Sequence, residues 1–130
     1  MGQYFKVFNL DKKEVLTPLS FHDGAKLMEF ACSSNGTLTG LAILLRQSSQ
    51  IGGGDFDYHL NYIRDKELVG SWAGDRIAIV GDYDDNPAGS SIYFDSTYTD
   101  ISDDVVHLIR HDRYVNESFE QYEEMKSRWN

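Results

Sequence analysis

The sequence predicts an α+β fold: one domain, residues 1–130, with a central antiparallel sheet and several helices, two of them C-terminal. Three observations predict it. Residues 4–16 are two runs of strand formers around a polar turn, the signature of a β-hairpin. Ile77-Ala78-Ile79-Val80 is apolar on both sides of the pleat, the pattern of a fully buried strand. Beyond residue 100 the strand signal gives way to helix caps and helical spacing of apolar residues.

The elements follow in order. Tyr4-Phe5-Lys6-Val7-Phe8-Asn9-Leu10 is rich in strand formers, Asp11-Lys12-Lys13 is a turn, and Glu14-Val15-Leu16 is the returning strand. Thr17, preceding Pro18, is biased to extended backbone, so the strand stops there. Ser20 or Asp23 caps a short helix over residues 25–30, with Leu27, Phe30 and Ala31 on one face. A second helix, Thr37 to Gln47, carries Leu38, Leu41, Ala42, Leu44 and Leu45 as a core stripe. Gly40 within it weakens the helix by about 1 kcal/mol relative to alanine, which points to close packing against a neighbour.

Ser48 to Gly54 reads as a surface loop, and Tyr58 to Ile63 as a short helix or irregular segment. Glu67 to Trp72 and Arg76 to Tyr83 read as the central antiparallel pair, turning at Ala73-Gly74-Asp75. Ile92-Tyr93-Phe94 reads as a further strand. Ser102 is an N-cap, with Asp103 and Asp104 favoured by the helix dipole and Val105, Val106 and Ile109 facing the core. Asn116 caps a last helix to about Arg128, on which Glu117, Glu120 and Glu124 share a face.

Composition bounds the function. With 41% hydrophobic and 13% aromatic residues the chain has the material for a packed core, despite a net charge of -9. Its longest apolar run, Leu41 to Leu45, is far short of the ~20 residues of a membrane span. No signal peptide is visible, Lys6 breaks the myristoylation pattern, and a lone Cys32 cannot form an internal disulfide, so a cytoplasmic location is expected. Charge is uneven. Residues 1–50 carry five basic and four acidic side chains, whereas residues 51–130 carry seven basic and seventeen acidic ones. An acidic half repels nucleic-acid phosphate and anionic membrane, and steers a basic protein towards itself.

Candidate chemistry is thin. Asp82-x-Asp84-x-Asn86 matches the first three ligand positions of a calcium loop, but the sixth and twelfth positions are Pro87 and Tyr93 instead of Gly and Glu. Gly52-Gly53-Gly54 precedes Asp55 and Asp57, which would repel a phosphate. His107 and His111 lie four apart on one helix face, yet Leu108 stands where a zinc protease needs Glu. Cys32 reads as a small buried hydrophobe, and Asp75-Arg76 as a turn acid and an ion pair at the core edge. No cofactor and no catalytic residue is assigned.

Met1-Gly2-Gln3-Tyr4-Phe5-Lys6, Asn9-Leu10-Asp11-Lys12 and Trp72-Ala73-Gly74-Asp75-Arg76-Ile77 together resemble a family of small bacterial proteins without an assigned activity. In size, acidity and lack of a catalytic motif the chain also resembles immunity proteins of polymorphic toxin systems, including contact-dependent inhibition. That resemblance implies a cytoplasmic protein that binds a cognate toxin domain, often a basic nuclease, and blocks its active site. The expected contact residues are Asp82, Tyr83, Asp84, Asp85 and Tyr93, with Glu117, Glu120 and Glu124 on the last helix; aromatic residues are common interface anchors. Two alternatives stay open: a small metal-dependent hydrolase with a carboxylate site around Asp82–Asp85, and a structural or regulatory subunit.

Overall fold

A computed structural model of the chain describes residues 2–33, 35–47, 63–83 and 92–111, the last without its side chain. Four strands form one sheet: β1 (Phe5–Asn9), β2 (Glu14–Leu16), β3 (Ile77–Gly81) and β4 (Thr99–Asp100). Four helices accompany them: α1 (Leu27–Ala31), α2 (Thr37–Leu45), α3 (Ile63–Leu68) and α4 (Ser102–His111). The fold is therefore α+β.

β1 and β2 form the expected hairpin, with Val7 opposite Leu16 and Phe8 opposite Val15. Its bend is made by Asn9, whose Oδ1 accepts the N–H groups of Asp11 at 3.0 Å and Lys12 at 2.8 Å. Strand order is β3-β1-β2-β4, so among the described residues β1 is interior and β3 is an edge. The sheet is mixed: β1 pairs antiparallel with β2 and β3, but β4 runs parallel to β2. This corrects the all-antiparallel expectation. The chain crosses the sheet before β4 and enters beside β2 in the same direction.

Ile77–Val80 is a strand, but it is not buried on both sides. Ile79 is 45% exposed, because β1, and no segment before β3, takes the position between two neighbours. Glu67 to Trp72 is not its partner strand. Residues 63–68 are α3 and residues 69–74 are turns. The spacing explains the change, since Asp65, Leu68 and Trp72 sit three and four apart and all are almost fully buried. Ile92–Phe94 forms a 3₁₀ turn instead of a strand, with Tyr93 and Phe94 packed edge to face at 4.9 Å.

The helices cover one face of the sheet. Val7 and Leu16 meet Phe21, Phe30, Ile43, Leu44, Leu68, Trp72, Val105, Leu108 and Ile109 there. Alternation puts Phe8, Val15 and Val80 on the other face, under Ile92, Tyr93 and Tyr98. Gly40 does mark a close approach: a Cβ there would lie 2.7 Å from Val105 Cγ1 and 3.1 Å from Phe21 Cε2. Gly70 serves a different need. It has φ +73°, and a Cβ would meet the Arg46 carbonyl oxygen at 2.5 Å, where the 69–74 turn hydrogen-bonds the end of α2.

Helix starts differ from expectation in instructive ways. Asp23 caps α2, not α1: its buried carboxylate accepts the Thr37 N–H and Oγ1–H, both at 2.7 Å, and the Ser33 hydroxyl. A side chain on Gly36 would collide with that carboxylate. At α1 the Lys26 N–H donates to Glu29 Oε1 at 3.0 Å, and only Phe30 is buried, Leu27 being 42% exposed. On α2 the buried set is Thr37, Gly40, Ile43 and Leu44; Ala42 is exposed. Ser102 is turned to a different use, its Oγ accepting the Thr17 N–H at 2.7 Å and so tying α4 to β2. The acid two residues earlier takes over the capping bond: Asp100 Oδ1 accepts the Ser102 N–H at 2.9 Å. Val105 and Ile109 are buried as expected, and Leu108 joins them.

Candidate functional site

The candidate surface begins where β3 ends. Antiparallel pairing carries one step past the strands: the Asp82 N–H donates to the Tyr4 carbonyl at 2.8 Å, and the Tyr4 N–H donates to Asp82 Oδ1 at 3.0 Å. Asp82 is thus held in a fixed place by backbone. Lys6 and Val80 are paired on the face away from the helices, and the Lys6 ammonium lies 4.6 Å from the centre of the Tyr93 ring. Tyr93 itself is half-buried against Phe8, Val15 and Val80. Burial, and then the negative charge of Asp82, push its phenol above the usual tyrosine range. The hydroxyl therefore stays protonated at neutral pH and remains a hydrogen-bond donor.

Of the expected contact residues, Asp82 lies near enough to Tyr93 for its charge to act on the phenol, and Tyr83, next in the chain, is 56% exposed. Phe94, 71% exposed and edge-on to Tyr93, belongs to the same surface. In the strand expected over residues 92–94, Phe94 would point away from Tyr93; the 3₁₀ turn sets the two rings side by side instead. Lys6 was missed, hidden as an ordinary polar position of β1. Asp84, Asp85, Glu117, Glu120 and Glu124 lie outside the described residues, as do Gly52, Gly53, Gly54 and Asn86.

A second polar cluster joins Asn9, Asp11, Lys12, Asp75 and Arg76 below the hairpin. Asn9 is fully buried and donates from Nδ2 to Asp75 Oδ2 at 2.9 Å, while the Lys12 ammonium binds the same oxygen. Asp11 accepts the Arg76 N–H at 2.7 Å and its Nη2 at 2.8 Å. The expected reading of Asp75-Arg76 as a turn acid with ion pairs at the core edge holds. These bonds lower the Asp11 carboxyl, through Arg76, and the Asp75 carboxyl, through Asn9 and then Lys12.

A third pair was not anticipated. Asp65 of α3 is buried, with Oδ1 3.3 Å from Nδ1 of His107 on α4 and Oδ2 without a hydrogen-bond partner. His107 thus has an orienting carboxylate. No group of three or more His, Cys, Asp or Glu suited to a metal ion occurs among the described residues. Cys32 is exposed, contrary to its expected burial, because α1 ends at Ala31 and turns it outward. No helix among the described residues is long and apolar enough to cross a membrane.

Comparison with family models, with curated proteins and with solved structures gave no match for this chain. Its function has to be argued from its own surface.

Proposed function

We propose that the protein is a non-enzymatic binding protein of the cytoplasm: an immunity protein that neutralises a cognate toxin domain, a nuclease by preference, through an acidic and aromatic surface. The observation that carries this reading is the one-sided charge, net -10 over residues 51–130 against +1 over residues 1–50. The acidic part includes Asp82, which its bond from Tyr4 holds at the end of β3, while Tyr83 and Phe94 are exposed. Fixed acids among aromatic rings suit a cationic partner. Charge accelerates encounter, and rigid rings supply contact area at low entropic cost. Asp84, Asp85, Glu117, Glu120 and Glu124 contribute to the same acidic excess of the sequence and are the remaining contacts of this reading.

The test is binding to the toxin domain encoded by an adjacent reading frame, followed by surface plasmon resonance at several salt concentrations. Affinity of about 1 nM or tighter is expected, with an on-rate that falls as salt rises. The Asp84→Lys/Asp85→Lys variant is expected to lose about tenfold or more in on-rate. Unchanged on-rate and affinity in that variant would remove these acids from the interface. A stoichiometric divalent ion retained through gentle purification would instead favour the hydrolase.

A further inference from the structure

The two edges of the sheet are finished differently. β4 has two residues and passes at once into α4, leaving little edge to pair. β3 has five residues, Ile-Ala-Ile-Val-Gly, and its register with β1 runs unbroken from Phe5↔Gly81 to Asn9↔Ile77. None of the usual protections is present within it: no proline, no charge, no bulge.

The hydrogen-bond phase says which groups are available. The Leu10 N–H donates to the Arg76 carbonyl, and the Asp82 N–H to the Tyr4 carbonyl. Because inward and outward groups alternate, Arg76, Ala78, Val80 and Asp82 direct their backbone towards β1, while Ile77, Ile79 and Gly81 direct theirs away from it. Among the described residues no backbone hydrogen bond reaches that outer side. Ile79, at its centre, is 45% exposed although its partner Val7 is fully buried.

We propose that β3 pairs antiparallel with β3 of a second copy of this chain, about a two-fold axis at Ile79. This register is self-complementary. Ile79 faces Ile79 of the second copy and Ile77 faces Gly81, so the outward N–H and C=O groups of all three residues are satisfied on both chains. The same register places Arg76 opposite Asp82, once at each end, and cross-strand neighbours of opposite charge attract. Arg76 already holds Asp11 through Nε and Nη2 but has five donors, and Asp82 gives one oxygen to Tyr4 and has a second. Strand slippage by one residue in either direction would break both charge pairs and point the wrong backbone groups at each other. A different extended peptide would meet the open edge but not the matched charges, which is why a second copy fits best.

The experiment is analytical ultracentrifugation of the whole chain over a wide concentration range, with variants. Unmodified protein is expected to approach twice the 14.8 kDa chain mass as concentration rises. Ile79→Pro removes an outward N–H and leaves the β1 bonds in place, and is expected to stay monomeric. Arg76→Asp, which sets two acids opposite each other at both ends, is expected to weaken association roughly tenfold. Should either variant fold poorly by circular dichroism, Ile79→Cys on a Cys32→Ser background decides. A hydrogen-bonded antiparallel pair holds its Cα atoms about 5.5 Å apart, inside the disulfide range, so diamide should yield a covalent dimer. A Leu19→Cys control, on the short 3₁₀ turn Pro18–Phe21 where Leu19 is exposed, should not. A strictly monomeric chain at all concentrations, a dimer indifferent to Ile79→Pro, or equal cross-linking at positions 19 and 79 would overturn the proposal.

Discussion

The two faces of the sheet are buried by different means. On the helix side Val7, Leu16, Trp72, Val105 and Leu108 are wholly inaccessible, gathered from strands, helices and the turn that docks on α2. On the other side, among the described residues, Phe8, Val15 and Val80 are covered by the short 3₁₀ turn Ile92–Phe94 and by Tyr98. Tyr98 meets Phe8 edge to face at 5.2 Å, and the Lys6 and Lys13 ammoniums lie over Tyr93 and Tyr98. One face is a deep core in which many elements depend on each side chain. The other is a thin aromatic cover whose outer rims stay within reach of solvent. Stability therefore resides mainly on the helix side, and the side with room to evolve contacts is the one that carries Tyr93 and Phe94.

The contrast is sharpest in paired truncations. Leu108→Ala empties a fully buried site between α4 and the sheet, and is expected to destabilise by about 2–5 kcal/mol in urea unfolding. Tyr98→Ala removes a half-buried ring and its edge-on contact with Phe8, and is expected to cost about 1–2 kcal/mol. Should Tyr98→Ala cost as much as Leu108→Ala, the second face would be a core in its own right.

The same contrast marks what could be read from the sequence. The hairpin was legible because two runs of strand formers, residues 4–10 and 14–16, flank a polar turn. α2 and α4 were legible from helical spacing, and Gly40 from its oddity in a helix. Position in the sheet was not, because Ile77–Val80 has the same apolar run whether it lies at the centre or, as here, at an edge with Ile79 half-exposed. α3 was hidden behind a plausible strand, since Leu68 and Trp72 fit either period over so short a stretch. Polar residues that bond far along the chain left no local trace at all. Asn9 with Asp75, Asp23 with Thr37, and Asp65 with His107 are 66, 14 and 42 positions apart, and each is a product of packing. Of the candidate site, Asp82, Tyr83 and Tyr93 were legible as acids and aromatics close in sequence, whereas Lys6 and Phe94 needed the fold to bring them there.

The smallest effect expected lies at the polar end of the sheet, where the turn before β3 is fastened to the hairpin. The Asp75 carboxyl sits below its ordinary value of 3.8 because Asn9 Nδ2 donates to it and Lys12 stands against it. A carboxyl lowered by folding contributes stability that is fully present above its unfolded value of about 4, and loses it as pH falls through the folded value. Asp11, lowered by Arg76, has the same sign, as does Asp95, lowered by its bonds with Thr97. Stability of the unmodified protein should therefore decline as pH falls below about 4. Asp75→Asn keeps an oxygen for Asn9 but loses the charge facing Lys12, so its decline should be shallower and the two curves should converge as the folded carboxyl takes up its proton. Salt should shrink the difference, because what separates the two proteins is the charge facing Lys12 and the bond to Asn9 is common to both. Denaturant melts at a series of pH values check this. Parallel curves for the two proteins would mean that Asp75 holds the turn by geometry alone, and that the deep face needs no electrostatic help at this corner.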